Sequence, residues 1–114
     1  MIIVRITMNA LPEKQKEVMQ TLLSMIETAG LEEGCLSYDG FCDLEDDSAF
    51  SLIGEWATRE DLNRHIRSER FSVLLGTKSL LAKPSGINIH TVSLSEGVEV
   101  INALRSKRTS KKNV

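Results

Sequence analysis

The chain has 114 residues, 41% of them hydrophobic and 26% charged, which is the size and composition of one ordinary globular domain. These figures exclude a wholly disordered chain and a membrane-spanning protein, because no apolar run approaches the roughly 18 residues that cross a bilayer. The net charge of −2 argues against a nucleic-acid-binding role for the whole chain. The first five residues have neither a basic segment nor a long apolar one, so they predict no signal peptide.

The charge is divided unevenly along the chain. Residues 1–94 carry a net charge of −5, whereas residues 95–114 carry +3. This division predicts one folded domain over 1–94. A short helix containing Val98, Ile101 and Leu104 and a basic, flexible C-terminal tail are predicted over 95–114. We expect the tail to act as a solubilising terminus.

The chain contains two cysteines, which stand seven positions apart in one predicted strand. This spacing places the side chains of Cys35 and Cys42 on opposite faces, and two such residues make no disulfide framework. We therefore expect reduced thiols in a cytoplasmic protein. With His65 and His90 they also lack metal-ligand spacing, and no glycine-rich phosphate motif is present. The sequence predicts neither a metal nor a nucleotide cofactor.

The hydrophobic pattern predicts a strand, a helix, two strands, a second helical segment and a last strand. The apolar stretches that indicate strands are 2–8, 35–43, 50–56 and 86–93. Between the first two strands, apolar residues recur every three or four positions from Val18 to Ala29. This period predicts an amphipathic helix that starts near Pro12 and ends at Gly30. The polar turn at 45–48 joins the middle strands into an antiparallel hairpin.

Thr58 and Ser68 are the predicted N-caps of two short helical stretches, the first carrying His65 and the second Phe71. The element order is β-α-β-β-α-β, the split βαβ or ferredoxin-like α+β fold. It has a four-stranded antiparallel sheet with helices on one face. Within residues 1–94 nothing remains to cover the other face of the sheet. The sequence therefore predicts a homodimer in which a second copy packs on that face.

Four groups of residues occur in order along these elements. They are EGCLSY at 33–38, DLED at 43–46, EW at 55–56 and LNRHIRSERF at 62–71. In this order and spacing they resemble the antibiotic biosynthesis monooxygenase family. The resemblance covers about residues 2–93 and implies a dimeric α+β barrel. Some family members are cofactor-independent oxygenases of phenolic or quinol substrates, whereas others degrade haem, process signal molecules or have no known activity.

The resemblance implies a site around His65, which matches the histidine of the family's His-x-x-Ser segment. A neutral imidazole can accept the proton of a phenolic hydroxyl, so we predict that His65 is the catalytic base. The candidate substrate-binding residues are Trp56, Phe71, Asn9 and Tyr38. The alternatives are structural: Trp56 is then the largest residue of the core, and Asn9 bonds to the backbone of its own turn.

This sequence differs from family members of better-defined activity in two respects, which narrow the range of expected substrates and cofactors. Leu52 stands where members that oxidise polycyclic phenols have asparagine. Haem-degrading members carry an asparagine in the first strand, a tryptophan in the helical segment and a haem-ligating histidine after the phenylalanine. The nearest positions here are Val4, His65 and Leu75, so no haem site of that type is expected. We expect a cofactor-independent monooxygenase that acts with O2 on a small quinol or phenol. The alternative is a non-catalytic dimer on the same fold that binds or senses a small ligand. We expect neither the monooxygenase nor the ligand-binding dimer to bind nucleic acid or a membrane.

Overall fold

A computed structural model describes the backbone of residues 1–112 and the side chains of residues 1–107. Four strands form one antiparallel sheet in the order β2-β3-β1-β4: β1 (Ile2–Asn9), β2 (Cys35–Cys42), β3 (Ala49–Trp56) and β4 (Gly86–Thr91). Three helices connect them: α1 (Gln15–Ala29), α2 (Arg59–Ile66) and α3 (Glu69–Leu75). The predicted ferredoxin-like order is confirmed, with the second helical connection divided into α2 and α3.

The core lies between the sheet and the helices. Alternate residues of β1 and β3 face it, while one stripe of α1 packs against them. Burying an aliphatic side chain of this kind stabilises the fold by about 1.5–3 kcal/mol. The core residues of β1 and α1 are Ile2, Val4, Ile6, Met8, Val18, Leu22, Met25 and Ala29.

Both predicted helix caps are confirmed. The Thr58 hydroxyl accepts a hydrogen bond from the backbone N–H of Asp61 at 3.2 Å. The Ser68 hydroxyl accepts one from the backbone N–H of Phe71 at 3.2 Å. Each cap satisfies an N–H that the first helical turn leaves free, so α2 and α3 begin where the sequence indicates.

The start of β2 departs from the predicted alternation. The register shifts between Cys35 and Ser37, which leaves Leu36 as the extra, exposed residue of a β-bulge. Because of the bulge, Cys35 packs against the core, on the face that also carries Cys42. The prediction of opposite faces was wrong because it assumed an unbroken period of two. Both thiols are free.

The sheet face opposite the helices is open. None of the residues that the four strands point to this side is buried. Ile3 and Ile53 are half-buried there, and Phe41 exposes 52% of its surface. An apolar strip therefore runs across a face that the described chain does not bury.

The C-terminal segment forms a longer helix than the sequence predicts. The helix α4 (Val98–Lys112) has 15 residues and continues through most of the basic stretch that was expected to be flexible. Val98, Ile101 and Leu104 are each more than half exposed. The end of the predicted tail, residues 113–114, lies outside the described residues. In the part of the chain that is described, no helix is both long and apolar enough to cross a membrane.

Candidate functional site

Four of the five predicted site residues lie together on the helix side of the sheet. The ring of His65 is centred 4.7 Å from Trp56, 5.4 Å from Tyr38 and 5.4 Å from Phe71. Trp56 is tilted by 30° to the imidazole, whereas Tyr38 and Phe71 meet it edge-on at 71° and 82°. We call these four residues the aromatic cluster. All four are buried.

The sheet positions two members of the cluster through a glycine. Trp56 ends β3 on the helix side, and Gly54 lies two residues earlier on the same face, directly opposite Tyr38. A methyl group on Gly54 would lie 3.0 Å from Tyr38 Cδ2 and 3.1 Å from Trp56 Nε1. Gly54 thus leaves the space that the two rings fill, as expected for a strand glycine at a close approach.

The junction of α2 and α3 positions the other two members. Leu62 and His65 are the buried residues of α2, three positions apart on one face. The Ser68 hydroxyl donates a hydrogen bond to the His65 carbonyl at 2.6 Å and accepts one from the Phe71 N–H. The His-x-x-Ser segment therefore fixes the imidazole relative to Phe71.

Glu32 completes the site from the loop between α1 and β2. Its carboxylate oxygens lie 3.0 and 2.9 Å from Nδ1 of His65. Arg70 of α3 lies 3.5 Å from the same carboxylate and donates to the carbonyl of Thr28 at 3.3 Å. Sequence reasoning missed Glu32 because a loop has no periodicity to indicate its direction. No signal in the sequence distinguishes it from the exposed Glu33.

Three polar atoms of the cluster are buried without a hydrogen-bond partner: Tyr38 Oη, Trp56 Nε1 and His65 Nε2. An unpaired buried polar atom costs about 1–3 kcal/mol, so native proteins keep few of them. Trp56 offers a donor and Tyr38 a hydroxyl that donates or accepts. With its Nδ1 proton directed to Glu32, His65 offers an acceptor at Nε2. Between them, these atoms provide both hydrogen-bond donors and hydrogen-bond acceptors.

The cluster also favours a neutral tyrosine. Burial raises the pKa of the Tyr38 hydroxyl, and the negative charge of Glu32 raises it further. The same two causes, in the same order, raise the pKa of the Cys35 thiol. Tyr38 therefore keeps its proton across the physiological pH range and remains able to donate a hydrogen bond.

Asn9 is not part of the cluster. The alternation of β1 directs Met8 into the core and leaves Asn9 half-buried on the opposite side of the sheet. There it lines an open hollow of about 360 Å³ together with Arg5, Thr7 and Asp43. The structure separates this predicted site residue from the other four because adjacent strand residues point to opposite faces.

A second, apolar groove lies between α1 and the hairpin of β2 and β3. It has a volume of about 190 Å³. Met19 and Leu23 of α1 are both at least 46% exposed along it. The residues that line the groove include no Asp, Glu or His, so its surface is apolar and offers no carboxylate or imidazole for catalysis.

The described residues contain no group of three or more His, Cys, Asp or Glu side chains that could hold a metal ion. His90 is exposed on the outer face of β4. Glu55, on the outer face of β3, accepts a hydrogen bond from the Ser37 hydroxyl. Neither side chain belongs to the aromatic cluster.

The split βαβ order, with one four-stranded antiparallel sheet and helices packed on one of its faces, defines a ferredoxin-like α+β domain. The family model described as antibiotic biosynthesis monooxygenase matches residues 1–74, and the chain belongs to that family. The predicted family is thereby confirmed. Membership places the chain among proteins named for monooxygenase activity, without specifying a substrate.

Solved structures repeat the fold. A Deinococcus radiodurans protein described as a candidate antibiotic biosynthesis monooxygenase has a TM-score of 0.79 and 20% identity, over 85% of this chain and 97% of its own. A conserved Methanosarcina mazei protein has a TM-score of 0.73 and 33% identity, over 78% and 89%. A Bacteroides thetaiotaomicron protein described as a candidate oxidoreductase has a TM-score of 0.71 and 19% identity, over 78% and 94%. No curated protein sequence matches the chain significantly.

Proposed function

We propose that this protein is a cofactor-independent monooxygenase that acts with O2 on a small quinol or related phenol. The observation that supports the proposal is the set of three unpaired polar atoms buried in the aromatic cluster. The oxygen of a phenolic hydroxyl accepts a hydrogen bond from Trp56 Nε1, and its proton is donated to His65 Nε2. Tyr38 is the further hydrogen-bond partner of the same hydroxyl.

In this proposal His65 is the general base. Moving the hydroxyl proton to Nε2 leaves a phenolate, which transfers an electron to O2 more readily than the neutral phenol does. General-base catalysis of this kind contributes about 10²–10⁴-fold to a rate. The overall reaction of a quinol with O2 gives a hydroxyquinone and water. The substrate supplies all four electrons, one oxygen atom enters the ring and the other leaves as water.

The substrate reaches these atoms only when the wall of the cluster moves, because each of the three exposes less than 1 Å². The helices α2 and α3 have eight and seven residues, too short to be stable apart from their packing. We infer that displacement of this helical pair from the sheet admits the substrate.

The experiment that tests the proposal is oxygen uptake by the purified protein with a panel of small hydroquinones and phenols. We expect uptake above the autoxidation blank, at least tenfold slower in His65→Ala. The matched control is His90→Ala, which changes the chain's other histidine, exposed on β4, and should keep full uptake. Equal uptake by His65→Ala and the native chain would contradict the role of His65.

The apolar groove supports a second candidate function, a non-catalytic module that binds or senses a small ligand. Its lining of Met19, Leu23 and Ile26 suits an apolar molecule rather than a reacting hydroxyl. Saturable binding that Leu23→Gln weakens, without oxygen uptake across the panel, would favour this module over the monooxygenase.

We also propose that two copies pack through the open face of the sheet. Ile53 lies at the middle of that face, between Arg5 on β1 and Asp39 on β2. We expect Ile53→Lys to place a charge in the interface and to convert a dimer into a 12.7 kDa monomer. Light scattering after size exclusion measures the mass. The control is Val73→Lys, an exposed position on the helix side, which should remain dimeric.

Replacing Tyr38 by phenylalanine tests whether the Tyr38 hydroxyl is buried and unpaired. The change removes a buried unpaired hydroxyl, so we expect the free energy of unfolding to rise by about 1 kcal/mol at pH 8. The raised pKa means that the folded state holds the proton which the unfolded state releases above about pH 10. Stability of the native chain is therefore lost as pH rises beyond 10, and the variant should lose less because it lacks the contribution of Tyr38.

Urea unfolding at pH 8 and pH 11 measures both effects. Trp56 is the only tryptophan, so the fluorescence reports on one residue, and Tyr38 is the only tyrosine, so the difference in pH dependence between the native chain and the variant reports on Tyr38. Parallel pH dependence in the native chain and the Phe variant would show that Tyr38 is not buried as described.

A further inference from the structure

We propose that Glu32 is a positioning residue that holds the Nδ1–H tautomer of His65 and so directs the basic Nε2 toward the substrate hydroxyl. The inference rests on the proposed function and names a residue that the family resemblance does not supply. It starts from the two oxygens of Glu32, which lie 3.0 and 2.9 Å from His65 Nδ1.

The chemistry of the two side chains fixes the proton. A carboxylate only accepts hydrogen bonds, so the proton between Glu32 and His65 lies on Nδ1. In a neutral imidazole the other nitrogen then carries a lone pair. Nε2 is buried and unpartnered inside the aromatic cluster, where the proposed hydroxyl binds. When the hydroxyl O–H bond breaks and the Nε2–H bond forms, the ring becomes positive and Glu32 faces that charge.

Two neighbouring contacts hold Glu32 in place. Arg70 lies 3.5 Å from its carboxylate and is itself tied to the carbonyl of Thr28. Gly34 follows two residues later with a φ of +80° and packs against Asp61, one turn before His65 on α2. The loop is therefore seated on the helix that carries the base. The carboxylate side chain is only 20% exposed.

Arg70 and the other three rings of the aromatic cluster surround the Glu32–His65 pair. The carboxylate of Glu32 lies near both the Arg70 guanidinium and Nδ1 of His65, so its negative charge faces two partners. The remaining neighbours of His65 are the rings of the cluster, and Nε2 has no hydrogen-bond partner among them. Glu32 thus holds the imidazole through Nδ1 and leaves Nε2 without a partner of its own.

Nitrogen NMR of ¹⁵N-histidine-labelled protein, without ligand, tests the assignment directly. The chain has two histidines, so His90→Gln assigns the remaining signals to His65. We expect the native protein to show a protonated Nδ1 and an unprotonated Nε2. In Glu32→Ala this tautomer should lose its dominance. In the control Glu33→Ala, which removes the same charge from an 81% exposed side chain, it should be unchanged.

The readout is independent of turnover, so it separates this inference from the proposed function. A native spectrum with the proton on Nε2 overturns the inference, even where Glu32→Ala fails to fold. So does a folded Glu32→Ala protein whose His65 tautomer is unchanged. With a substrate in hand, we further expect Glu32→Ala to lower kcat at least tenfold with little change in KM. An Nδ1–H tautomer in a protein without oxygen uptake or hydroxyl binding leaves Glu32 assigned and contradicts the monooxygenase.

Discussion

Replacing Trp56 by alanine is expected to lower the free energy of unfolding by about 3–5 kcal/mol. Trp56 is fully buried, and its ring packs against both His65 and Tyr38. Alanine would leave a cavity that strands β1 and β2, paired on either side of β3, cannot close. A domain of this size has a total stability of about 5–15 kcal/mol, so the variant should be close to unfolding.

Urea unfolding followed by far-ultraviolet circular dichroism measures the loss, since the variant no longer contains tryptophan. Trp56→Phe is the matched control because it keeps a ring and removes the unpaired Nε1–H, and we expect it to lose less than half as much. A loss below about 1 kcal/mol in Trp56→Ala would contradict the packing described here.

Replacing Gly34 by alanine is the second large effect, expected at about 2–3 kcal/mol. Gly34 has a φ of +80°, which costs a residue with a side chain about 1–2 kcal/mol. A methyl group there would also lie 2.1 Å from the Asp61 carboxyl. Asp61 must then move away from Thr58, whose hydroxyl caps α2 and bonds to the same carboxyl. Loss of a helix cap adds about 1 kcal/mol.

Gly30→Ala is the control for this substitution. Gly30 has a φ of −63°, and a methyl group there meets nothing within 4 Å. We expect it to be neutral or slightly stabilising, because alanine restricts the unfolded chain. Urea unfolding followed by Trp56 fluorescence compares the two variants. Similar stabilities for the two would show that residue 34 does not need a left-handed backbone.

The sequence was sufficient to predict the layers of the fold because they depend on periodicity and on local capping. The three-and-four spacing of α1 and the caps at Thr58 and Ser68 are properties of neighbouring residues. The structure has both caps where they were predicted, and α1 ends before Gly30 as predicted but begins at Gln15, after a 3-10 turn at Pro12–Lys14. The bulge at Leu36 was missed because it depends on pairing with β3 across the hairpin. The length of α4 was missed because its last turns carry no apolar residues to indicate a helix.

The candidate site was predicted only in part. The resemblance supplied His65, Trp56, Tyr38 and Phe71, which the structure brings together. Asn9 was a candidate because it follows the first strand, and it lies on the other face of the sheet because β1 continues through Asn9 and its alternation directs that side chain away from the helices. Glu32 contacts His65 across 33 positions of sequence, and no local pattern encodes such a contact.

The most direct test of the central claim is a titration of the Trp56 fluorescence with small phenols and with their methyl ethers. The claim is that the buried polar atoms of Trp56, Tyr38 and His65 recognise a hydroxyl group. We expect the phenols that the protein oxidises to change the fluorescence and to bind at least tenfold more tightly than the ethers, which cannot donate a proton. Ethers that bind as tightly as phenols would contradict the claim.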